Sequence, residues 1–177
     1  MDAPPITTPT PPARGAELRR VTESWGGRAA AAILREAATW AAQQGIDVWR
    51  LDELQDADFE RAAAAGEVVL GFEGAEVAAT MLLQSADPVY WPDDPPGAAL
   101  YVHKVGVRRA SAGRGWLARI IEFAAAEARR QGAPYLRLDT VNRAKMRQMY
   151  EQLGFRWIPE EPLLKFGRQI IRLERRL

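Results

Sequence analysis

The sequence predicts an α/β protein of mixed α+β type, in which helices flank a mixed, mostly antiparallel sheet. Two apolar runs, Glu67–Phe72 and Ala75–Leu83, are joined by Glu73 and Gly74, which is a typical signal for an antiparallel hairpin. Further along, the strand pattern of Ala99–Val107 is followed by a long helical pattern and another strand, the order expected of a parallel crossover. A hairpin combined with one crossover favours a mixed sheet covered by helices.

The composition is that of an ordinary globular domain. The chain has 177 residues, of which 47% are hydrophobic and 27% are charged, so one domain can bury a core without disulfide bonds. Lysine and arginine total 24 against 23 for aspartate and glutamate, which excludes a generally basic protein that binds nucleic acid. With no cysteine and one histidine, the sequence excludes zinc fingers, thiol nucleophiles and Cys/His metal sites, so we expect no metal.

The N-terminal segment differs from the rest of the chain. Residues 1–15 are rich in proline, which removes backbone donors and fixes φ, so we predict a disordered tail; a polyproline II docking segment is the alternative. Residues 16–177 then form a single domain. We find no signal-peptide pattern and no stretch of the ~18–20 apolar residues that a membrane span needs. Together with the lack of cysteine, these features favour a cytoplasmic protein with no membrane partner.

Three elements are predicted before the hairpin. Ala16–Val21 is a short strand. Arg28–Gln44 is an alanine-rich helix with apolar residues at i, i+3 and i+4, and it ends at Gly45. Leu51–Gly66 is a second helix, whose acidic first turn suits the positive end of the helix dipole.

The elements after the hairpin alternate between strands and helices. A loop rich in proline and aspartate, Gln84–Ala98, leads into the strand Ala99–Val107. The remaining elements are the helix Trp116–Gln131, the strand Tyr135–Asp139, the helix Ala144–Leu153, and the strands Phe155–Ile158 and Arg168–Leu173. Gly132 and Gly154 end the two helices, as glycine often does.

The strand Ala99–Val107 is followed by a basic, glycine-rich turn that runs directly into the next helix. Gly113 and Gly115 allow the backbone to approach a ligand closely, and free N–H groups at a helix start favour an anion such as phosphate. The pattern also satisfies the dinucleotide-binding motif G-x-G-x-x-A, but the turn stands late in the chain and only one further parallel strand follows. Taken alone, the turn is also compatible with a loop that binds no ligand.

The segment Tyr101–Phe155 closely resembles the GCN5-related N-acetyltransferase (GNAT) family. The matching parts are a strand ending in V-x-V-R, the A-G-R-G turn into a helix, the strand L-R-L-D-T and the final Y-E-Q-L-G-F. The order of elements upstream is also that of the family. The resemblance implies the acyltransferase fold of the family, with acetyl-CoA as acyl donor and the primary amine of an unidentified acceptor as the group that is acetylated.

The resemblance also implies where the donor binds. Backbone N–H groups of the turn would hold the pyrophosphate. These N–H groups belong to Gly113, Arg114, Gly115, Trp116 and Leu117, with Ala118 at the edge, and Ala112 is included in the predicted donor site. The preceding strand would line the pantetheine arm through Val105 and Val107, and a main-chain N–H near Val105 would polarise the acetyl carbonyl. Asn142 resembles an asparagine of the family that contacts the same arm, with a helix N-cap as the alternative.

Two positions of the turn depart from the family pattern. Ala112 stands where arginine or glutamine is usual, and Leu117 stands where a small residue is usual. The two glycines that the pattern requires, Gly113 and Gly115, are both present. We therefore still expect acetyl-CoA to bind at this turn.

Acetyl transfer to an amine needs a base for the amine and an acid for the leaving thiolate. Tyr150 resembles the family tyrosine that donates a proton to sulfur; a core tyrosine on an amphipathic helix is the alternative. His103, with an unperturbed pKa of ~6.5, suits the base, and strand alternation places it on the same side as Tyr101 and Val105, facing the acceptor. The alternative is a strand histidine that does not titrate. The other candidate bases are Glu73, Asp93 and Asp94.

The loop Gln84–Ala98 is predicted to overhang the acceptor side of the site. It would receive a cationic amine by charge and by cation–π contact, and a solvated lid is the alternative. The residues concerned are Tyr90, Trp91, Asp93 and Asp94, with Asp87 nearby. We expect the acceptor to be a small molecule or a peptide, and the protein to be a monomer or a homodimer. Two other function classes stay open: a catalytically silent module for CoA binding or interaction, and a nucleotide-binding α/β domain.

Overall fold

A computed structural model describes residues 16–160 and 162–177. The segment 1–15, predicted to be a disordered tail, lies outside the described residues. Within the described part, one eight-stranded sheet carries helices on both of its faces, and its mixed, mostly antiparallel pairing confirms the predicted fold class. No helix among these residues is both long enough and apolar enough to cross a membrane.

The elements follow one another in the order that the sequence predicts, with one added strand. The strands are β1 (Ala16–Arg20), β2 (Val68–Glu73), β3 (Glu76–Gln84), β4 (Ala99–Val107), β5 (Tyr135–Val141), β6 (Arg156–Trp157), β7 (Leu163–Lys165) and β8 (Arg168–Arg176). The helices are α1 (Ser24–Gln43), α2 (Asp56–Ala64), α3 (Trp116–Arg130) and α4 (Ala144–Glu151). In the sheet the order is β1-β2-β3-β4-β5-β8-β6, with β7 also paired to β8. The pair β4 and β5 is parallel and is connected through α3.

Two apolar clusters, one on each face of the sheet, hold the helices in place. On one face, Ile120 of α3 is fully buried in a cluster that includes Leu138 of β5. On the other face, Leu34 of α1 and Phe59 of α2 pack in a cluster with Leu70 of β2. Burial of each such side chain contributes about 1.5–3 kcal/mol. The first cluster also contains Leu100 and Val102, so it holds β4 in the middle of the sheet, where the site lies.

Helix α1 begins earlier than predicted. It starts at Ser24 instead of Arg28, so Gly26 and Gly27 lie within its first turns. A Cβ on Gly27 would lie 2.4 Å from the carbonyl oxygen of Phe59. The glycine that interrupts the helical pattern in the sequence therefore permits α1 and α2 to cross closely.

The predicted helix Leu51–Gly66 is interrupted at Leu54. A 3-10 turn covers Leu51–Glu53, and α2 begins only at Asp56. Leu54 is fully buried, and its carbonyl oxygen accepts a hydrogen bond of 2.8 Å from Arg35. This tertiary contact replaces the hydrogen bond that a continuous helix would make.

The C-terminal strands also differ from the prediction. The predicted strand Phe155–Ile158 is reduced to the two residues of β6, and the last strand continues beyond Leu173 to Arg176. Strand β7 was not predicted; it forms a hairpin with β8 through Phe166 and Gly167, whose φ values are +53° and +75°. This turn lacks the asparagine or aspartate that usually signals such a hairpin.

Strand β4 carries a bulge at the point where it leaves β5. Thr80 pairs with Gly106 and Leu82 pairs with His103, so β4 has two residues between these pairs where β3 has one. One of the two is Lys104, which takes a φ of +51°. The parallel pairing with β5 stops at the pair Val102–Leu138. Beyond this pair the two strands separate, and a space opens between them.

Candidate active site

A cleft of about 520 Å³ lies where β4 and β5 separate. One wall consists of residues 102–105 of β4 and 139–141 of β5, together with Met146 and Tyr150 of α4. The rest of the lining includes segments that are far apart in the sequence: Val48, Trp49 and Glu53, residues 86–90, and the hairpin of β7 and β8. The fold thus brings together side chains that no single sequence motif contains.

His103 lies in this cleft between two carboxylates. Its Nδ1 atom is 2.9 Å from Oδ1 of Asp139, and its Nε2 atom is 3.4 Å from Oδ2 of Asp87. Burial lowers the pKa of His103, but the hydrogen bond and charge of Asp139 and the charge of Asp87 outweigh it, so the pKa lies above its usual value. An imidazole held in this way can accept a proton in the cleft and is stabilised in its charged form.

The predicted side-chain alternation along β4 is wrong beyond His103. The bulge places His103 and its neighbour Lys104 on the same side of the strand, and Lys104 extends over the ring of Trp49. Val105 also borders the cleft, but it packs against the cluster that contains α3, on the other face of the sheet. His103 therefore shares its side with Tyr101 and Lys104, and not with Val105.

Asp87 is the acidic residue of the loop that reaches the cleft. Its Oδ1 atom accepts hydrogen bonds of 3.0 Å from the backbone N–H groups of Val89 and Tyr90, which fixes the carboxylate at the start of a turn. Its Oδ2 atom is buried, faces His103, and accepts no hydrogen bond of normal geometry from the described residues. A buried carboxylate oxygen of this kind favours a ligand that donates hydrogen bonds, such as an ammonium group.

Three of the four predicted acceptor residues do not border the cleft, whereas the fourth, Tyr90, does. Asp94 accepts hydrogen bonds from the hydroxyl of Tyr101 and the guanidinium of Arg137, so its charge is already matched. Trp91 is buried and packs against Tyr101, with the ring centroids 6.3 Å apart. Asp93 is exposed to solvent. The first half of the loop reaches the cleft, and its second half packs elsewhere.

Tyr150 lies on α4, with its side chain buried beside the cleft. It packs edge-on against Phe155, with the ring centroids 5.9 Å apart. Burial raises the pKa of Tyr150, and the charge of Asp139 raises it further, so the hydroxyl stays protonated at neutral pH. A protonated phenol at the edge of the cleft is able to donate a proton to a leaving group there.

The glycine-rich turn connects β4 to α3 and has an open surface. Gly113 and Gly115 both have a φ of +77°, and an ideal Cβ on either would meet no heavy atom within 4 Å among the surrounding described residues. Ala112 and Arg114 are exposed, and α3 begins at Trp116. The turn therefore offers free backbone N–H groups and a helix start to an anion, which is what a pyrophosphate requires.

Glu73, at the end of β2, stabilises this turn through hydrogen bonds from three of its side chains. Its carboxylate accepts hydrogen bonds from the indole N–H of Trp116 at 2.8 Å, from Arg114 at 2.8 Å and from the hydroxyl of Ser111 at 3.2 Å. These contacts, that of Trp116 first, lower the pKa of Glu73, so the carboxylate is ionised. Because Glu73 does not border the cleft, it positions the turn and is no longer a candidate for the base.

The first two side chains after the glycines, Trp116 and Leu117, pack toward the core. Trp116 is buried, and its ring packs directly on Gly71: a Cβ on Gly71 would lie 2.3 Å from the nearest atom of that ring. Leu117 is half-buried and packs against the same cluster, while Ala118 is exposed. The large residue at position 117 therefore leaves the surface of the turn open.

The remaining predicted donor residues lie in two places. Val105 lies in the bulge, outside the pairing with β3, whereas Val107 belongs to that pairing. Asn142 follows β5, does not border the cleft, and donates a hydrogen bond of 3.3 Å to the side chain of Gln169. It is not the N-cap of α4 either, because Arg143 occupies that position. Of these residues, Val105 is the one placed at the cleft.

Asp87, His103 and Asp139 also form the one candidate cation-binding group within residues 16–160 and 162–177, with ligand atoms within 4.8 Å of one another. In this arrangement each ring nitrogen of the imidazole lies near a different carboxylate, Nδ1 at 2.9 Å and Nε2 at 3.4 Å. One ring cannot coordinate the same ion through both nitrogens, so an ion would have to break one of these contacts. The geometry is therefore better suited to proton transfer than to metal binding.

Neither Asp139 nor Asp87 was among the predicted catalytic residues. Asp139 ends a predicted strand, and the parallel pairing of that strand with β4 is the signal that could have placed it near His103. Asp87 was considered only as part of a charged loop. No signal in the sequence distinguishes it from Asp93 and Asp94.

Comparison with known proteins shows the family of the chain and several solved structures with a similar fold. The sequence profile of the Acetyltransferase (GNAT) family matches residues 35–155, more than half of the chain. An acetyltransferase of that family from Listeria monocytogenes is 21% identical, with a TM-score of 0.73 over 92% of this chain and 95% of that one. The yncA protein of Salmonella typhimurium, solved with acetyl-CoA, is 17% identical, with a TM-score of 0.66 over 92% of this chain and 94% of that one.

A third solved structure, an acetyltransferase from Streptococcus agalactiae, is 14% identical, with a TM-score of 0.69 over 93% of this chain and 100% of that one. At these identities the likeness to the three structures shows the fold alone. A search of curated proteins gives no significant match.

Proposed function

Because the chain belongs to the Acetyltransferase (GNAT) family, we propose that it transfers an acetyl group from acetyl-CoA directly to the primary amine of an acceptor, in the cleft between β4 and β5. The observation that carries the proposal is His103, whose imidazole lies in that cleft with Nδ1 against Asp139 and Nε2 on the side of Asp87. The acceptor is a small molecule or a peptide that enters past Asp87 and Tyr90.

The donor is held by backbone more than by side chains. The turn around Gly113 and Gly115 takes the pyrophosphate, and Glu73 keeps that turn in position. The pantetheine arm lies along the edge of β4 that is left unpaired where β5 separates from it. Acetyl-CoA supplies an activated thioester, whose carbonyl oxygen is polarised by a main-chain N–H near Val105.

His103 removes the proton of the amine. Its Nδ1 atom lies 2.9 Å from Oδ1 of Asp139, so this carboxylate favours the tautomer with the proton on Nδ1, and the lone pair of Nε2 is then available to a ligand in the cleft. The ammonium group of the acceptor first passes one proton to Nε2, and Asp139 stabilises the imidazolium that results. The neutral amine nitrogen then forms a bond to the acetyl carbon, and the carbonyl oxygen takes up the negative charge. The carbonyl re-forms as the carbon–sulfur bond breaks, and the leaving thiolate takes a proton from the hydroxyl of Tyr150. The tyrosinate then recovers the second proton, which the nitrogen gives up as it becomes a neutral amide.

A screen for acetyl-CoA turnover across amine acceptors tests the proposed function. We expect one CoA thiol to be released for each acceptor molecule that gains an acetyl group. A thiol reagent measures the first quantity and mass spectrometry the second. Binding of acetyl-CoA without any acetylated product would favour a silent CoA-binding module. Stabilisation by NAD or ATP, but not by acetyl-CoA or CoA, in a thermal-shift assay would favour the nucleotide-binding alternative.

Replacing Tyr150 with phenylalanine is expected to lower kcat by roughly 10²-fold, because the proton donor for the thiolate is lost. Affinity for acetyl-CoA should hardly change, since one hydroxyl is removed from the edge of the cleft. Tyr135→Phe is the matched control, because Tyr135 begins β5 and does not border the cleft. An unchanged kcat in Tyr150→Phe, with the chemical step shown to limit turnover, would contradict the role.

Replacing Asp87 with asparagine is expected to raise KM for the acceptor about tenfold, the effect of losing one hydrogen bond to a charged group. The asparagine oxygen can still accept from the backbone N–H groups of Val89 and Tyr90, so the turn should be kept. Asp93→Asn is the control, because that carboxylate is exposed and away from the cleft. Equal effects of the two substitutions would show that Asp87 contributes only general charge.

A further inference from the structure

Lys104 adds a cation to the cleft directly beside the catalytic imidazole. Its φ of +51° belongs to the bulge of β4, and because of that bulge two consecutive side chains, His103 and Lys104, reach the same cleft. In a regular strand they would point to opposite faces. The Nζ atom lies 5.5 Å from the ring centroid of Trp49, at the wall opposite β5.

Among the cationic side chains that line the cleft, Arg168 is paired with carboxylates and Lys104 is not. The guanidinium of Arg168, which also borders the cleft, lies between Asp47 and Glu53, at distances of 3.0–3.2 Å. In the part of the chain that the structure describes, no carboxylate lies within ion-pair distance of Lys104 Nζ. Burial lowers the pKa of Lys104, partly offset by the charges of Glu53 and Asp139. A half-buried ammonium group in this state favours an anion that enters the cleft.

The opposite charge stands on the other side of His103. Asp87 presents a buried carboxylate oxygen without a hydrogen bond of normal geometry among the described residues. The cleft thus offers an anionic group for an ammonium and a cationic group for a carboxylate. Because His103, Lys104 and Asp87 all border one cleft of about 520 Å³, one small ligand that carries both an ammonium and a carboxylate can reach all three side chains.

We propose that Lys104 binds a carboxylate of the acceptor, and that the acceptor is therefore an amino acid whose ammonium group lies between Asp87 and His103. The proposal rests on the acetyl transfer proposed above and names its substrate class. A polyamine, which carries several cationic groups and no carboxylate, would meet repulsion from Lys104.

The rest of the acceptor wall indicates the kind of side chain. Trp49, Val48, Val89 and Phe166 border the cleft there and are apolar. An apolar side chain of the amino acid would be removed from water against them, with a gain of about 25 cal/mol per Å². We therefore expect leucine and phenylalanine to be better acceptors than aspartate or lysine.

Matched acceptors test the proposal. L-leucine and L-phenylalanine are compared with their primary amides and with isopentylamine and phenethylamine, and thiol release from acetyl-CoA is measured. We expect kcat/KM to be about tenfold or more higher for the acids, the effect of one charge-assisted contact. The α-amino group of an amino-acid amide is less basic than that of the free amino acid, so a larger fraction of it is unprotonated at a given pH. A preference for the acid would therefore run against intrinsic reactivity.

Variants assign the preference to Lys104. In Lys104→Met the acids should lose about tenfold or more in kcat/KM while the amides change little, so that the preference disappears; Lys104→Arg should retain part of it. Lys165→Met is the control, because that lysine lies on β7 and does not border the cleft. Calorimetric titration of the CoA-bound protein with L-leucine gives a second readout that needs no turnover, and its binding should be lost only in Lys104→Met.

The possible outcomes separate the two proposals. Turnover of amides and simple amines as efficient as that of the acids would overturn the amino-acid proposal and leave acetyl transfer intact. An equal loss for all acceptors in Lys104→Met would overturn it too. No thiol release with any amine would overturn the proposed function, and the titration with L-leucine would then decide whether Lys104 still binds a carboxylate.

Discussion

Replacing His103 with glutamine is expected to lower kcat by at least about 10²-fold, because glutamine has a similar length but cannot accept a proton. His103 is the group in the cleft whose imidazole contacts both Asp87 and Asp139, so the loss should fall on the chemical step. The affinity for acetyl-CoA should hardly change, since the pyrophosphate is held at the glycine turn. Steady-state rates at saturating acceptor and a thermal shift with acetyl-CoA measure the two quantities.

Retention of near-normal kcat in His103→Gln would remove the imidazole from the mechanism. Asp139 would then be the next candidate for the base, because it borders the same cleft. A loss of acetyl-CoA binding together with kcat would instead indicate that His103 supports the structure of the cleft.

Replacing Gly115 with glutamate is expected to abolish the rise in Tm that acetyl-CoA produces. The new carboxylate would stand on the turn where the backbone N–H groups bind the pyrophosphate, in the open space beside an ideal Cβ. At a ligand concentration of about 100 times Kd, binding adds about 2.7 kcal/mol to stability, so its loss is readily measured. The φ of +77° at Gly115 also costs about 1–2 kcal/mol in any variant, which lowers the Tm of the free protein by a few degrees.

Gly132→Glu separates strain from binding. Gly132 follows the other end of α3, has a φ of +75°, and likewise meets no described heavy atom within 4 Å of an ideal Cβ. Its glutamate variant should therefore show a similar loss of Tm but keep the shift caused by acetyl-CoA. If Gly115→Glu binds acetyl-CoA as well as Gly132→Glu does, the donor binds elsewhere.

The fold was predictable because local signals and pairing agree. The turn at Glu73 and Gly74, the crossover through α3 and the glycine turn before it are each encoded within short segments of the chain. The errors arose where a tertiary contact outweighs a local pattern. Gly27 lies inside a helix because another backbone passes close to it, and Leu54 interrupts a helix because its carbonyl oxygen bonds to Arg35.

The candidate site was predictable only in part. His103 and Tyr150 stood out by residue type and by their position in a family-like segment, and the structure places both beside the cleft. The partners of His103 did not stand out, because Asp139 and Asp87 meet it through strand pairing and loop packing. The direction of Lys104 depends on one extra residue in β4, and such a bulge leaves no recognisable pattern in a single sequence.

The central claim is that His103, held by Asp139, removes the amine proton. The most direct test of this claim is the pH dependence of kcat/KM, compared between the wild type and Asp139→Asn. The base must be neutral, so activity should rise with pH through the pKa of His103, which Asp139 and Asp87 hold above about 6.5 against burial and the charge of Lys104. Asparagine at position 139 removes the larger of the two favourable contributions. We therefore predict that the rising limb moves to lower pH in Asp139→Asn, with a lower plateau, for the same acceptor. A limb that stays in place or moves to higher pH would contradict the account.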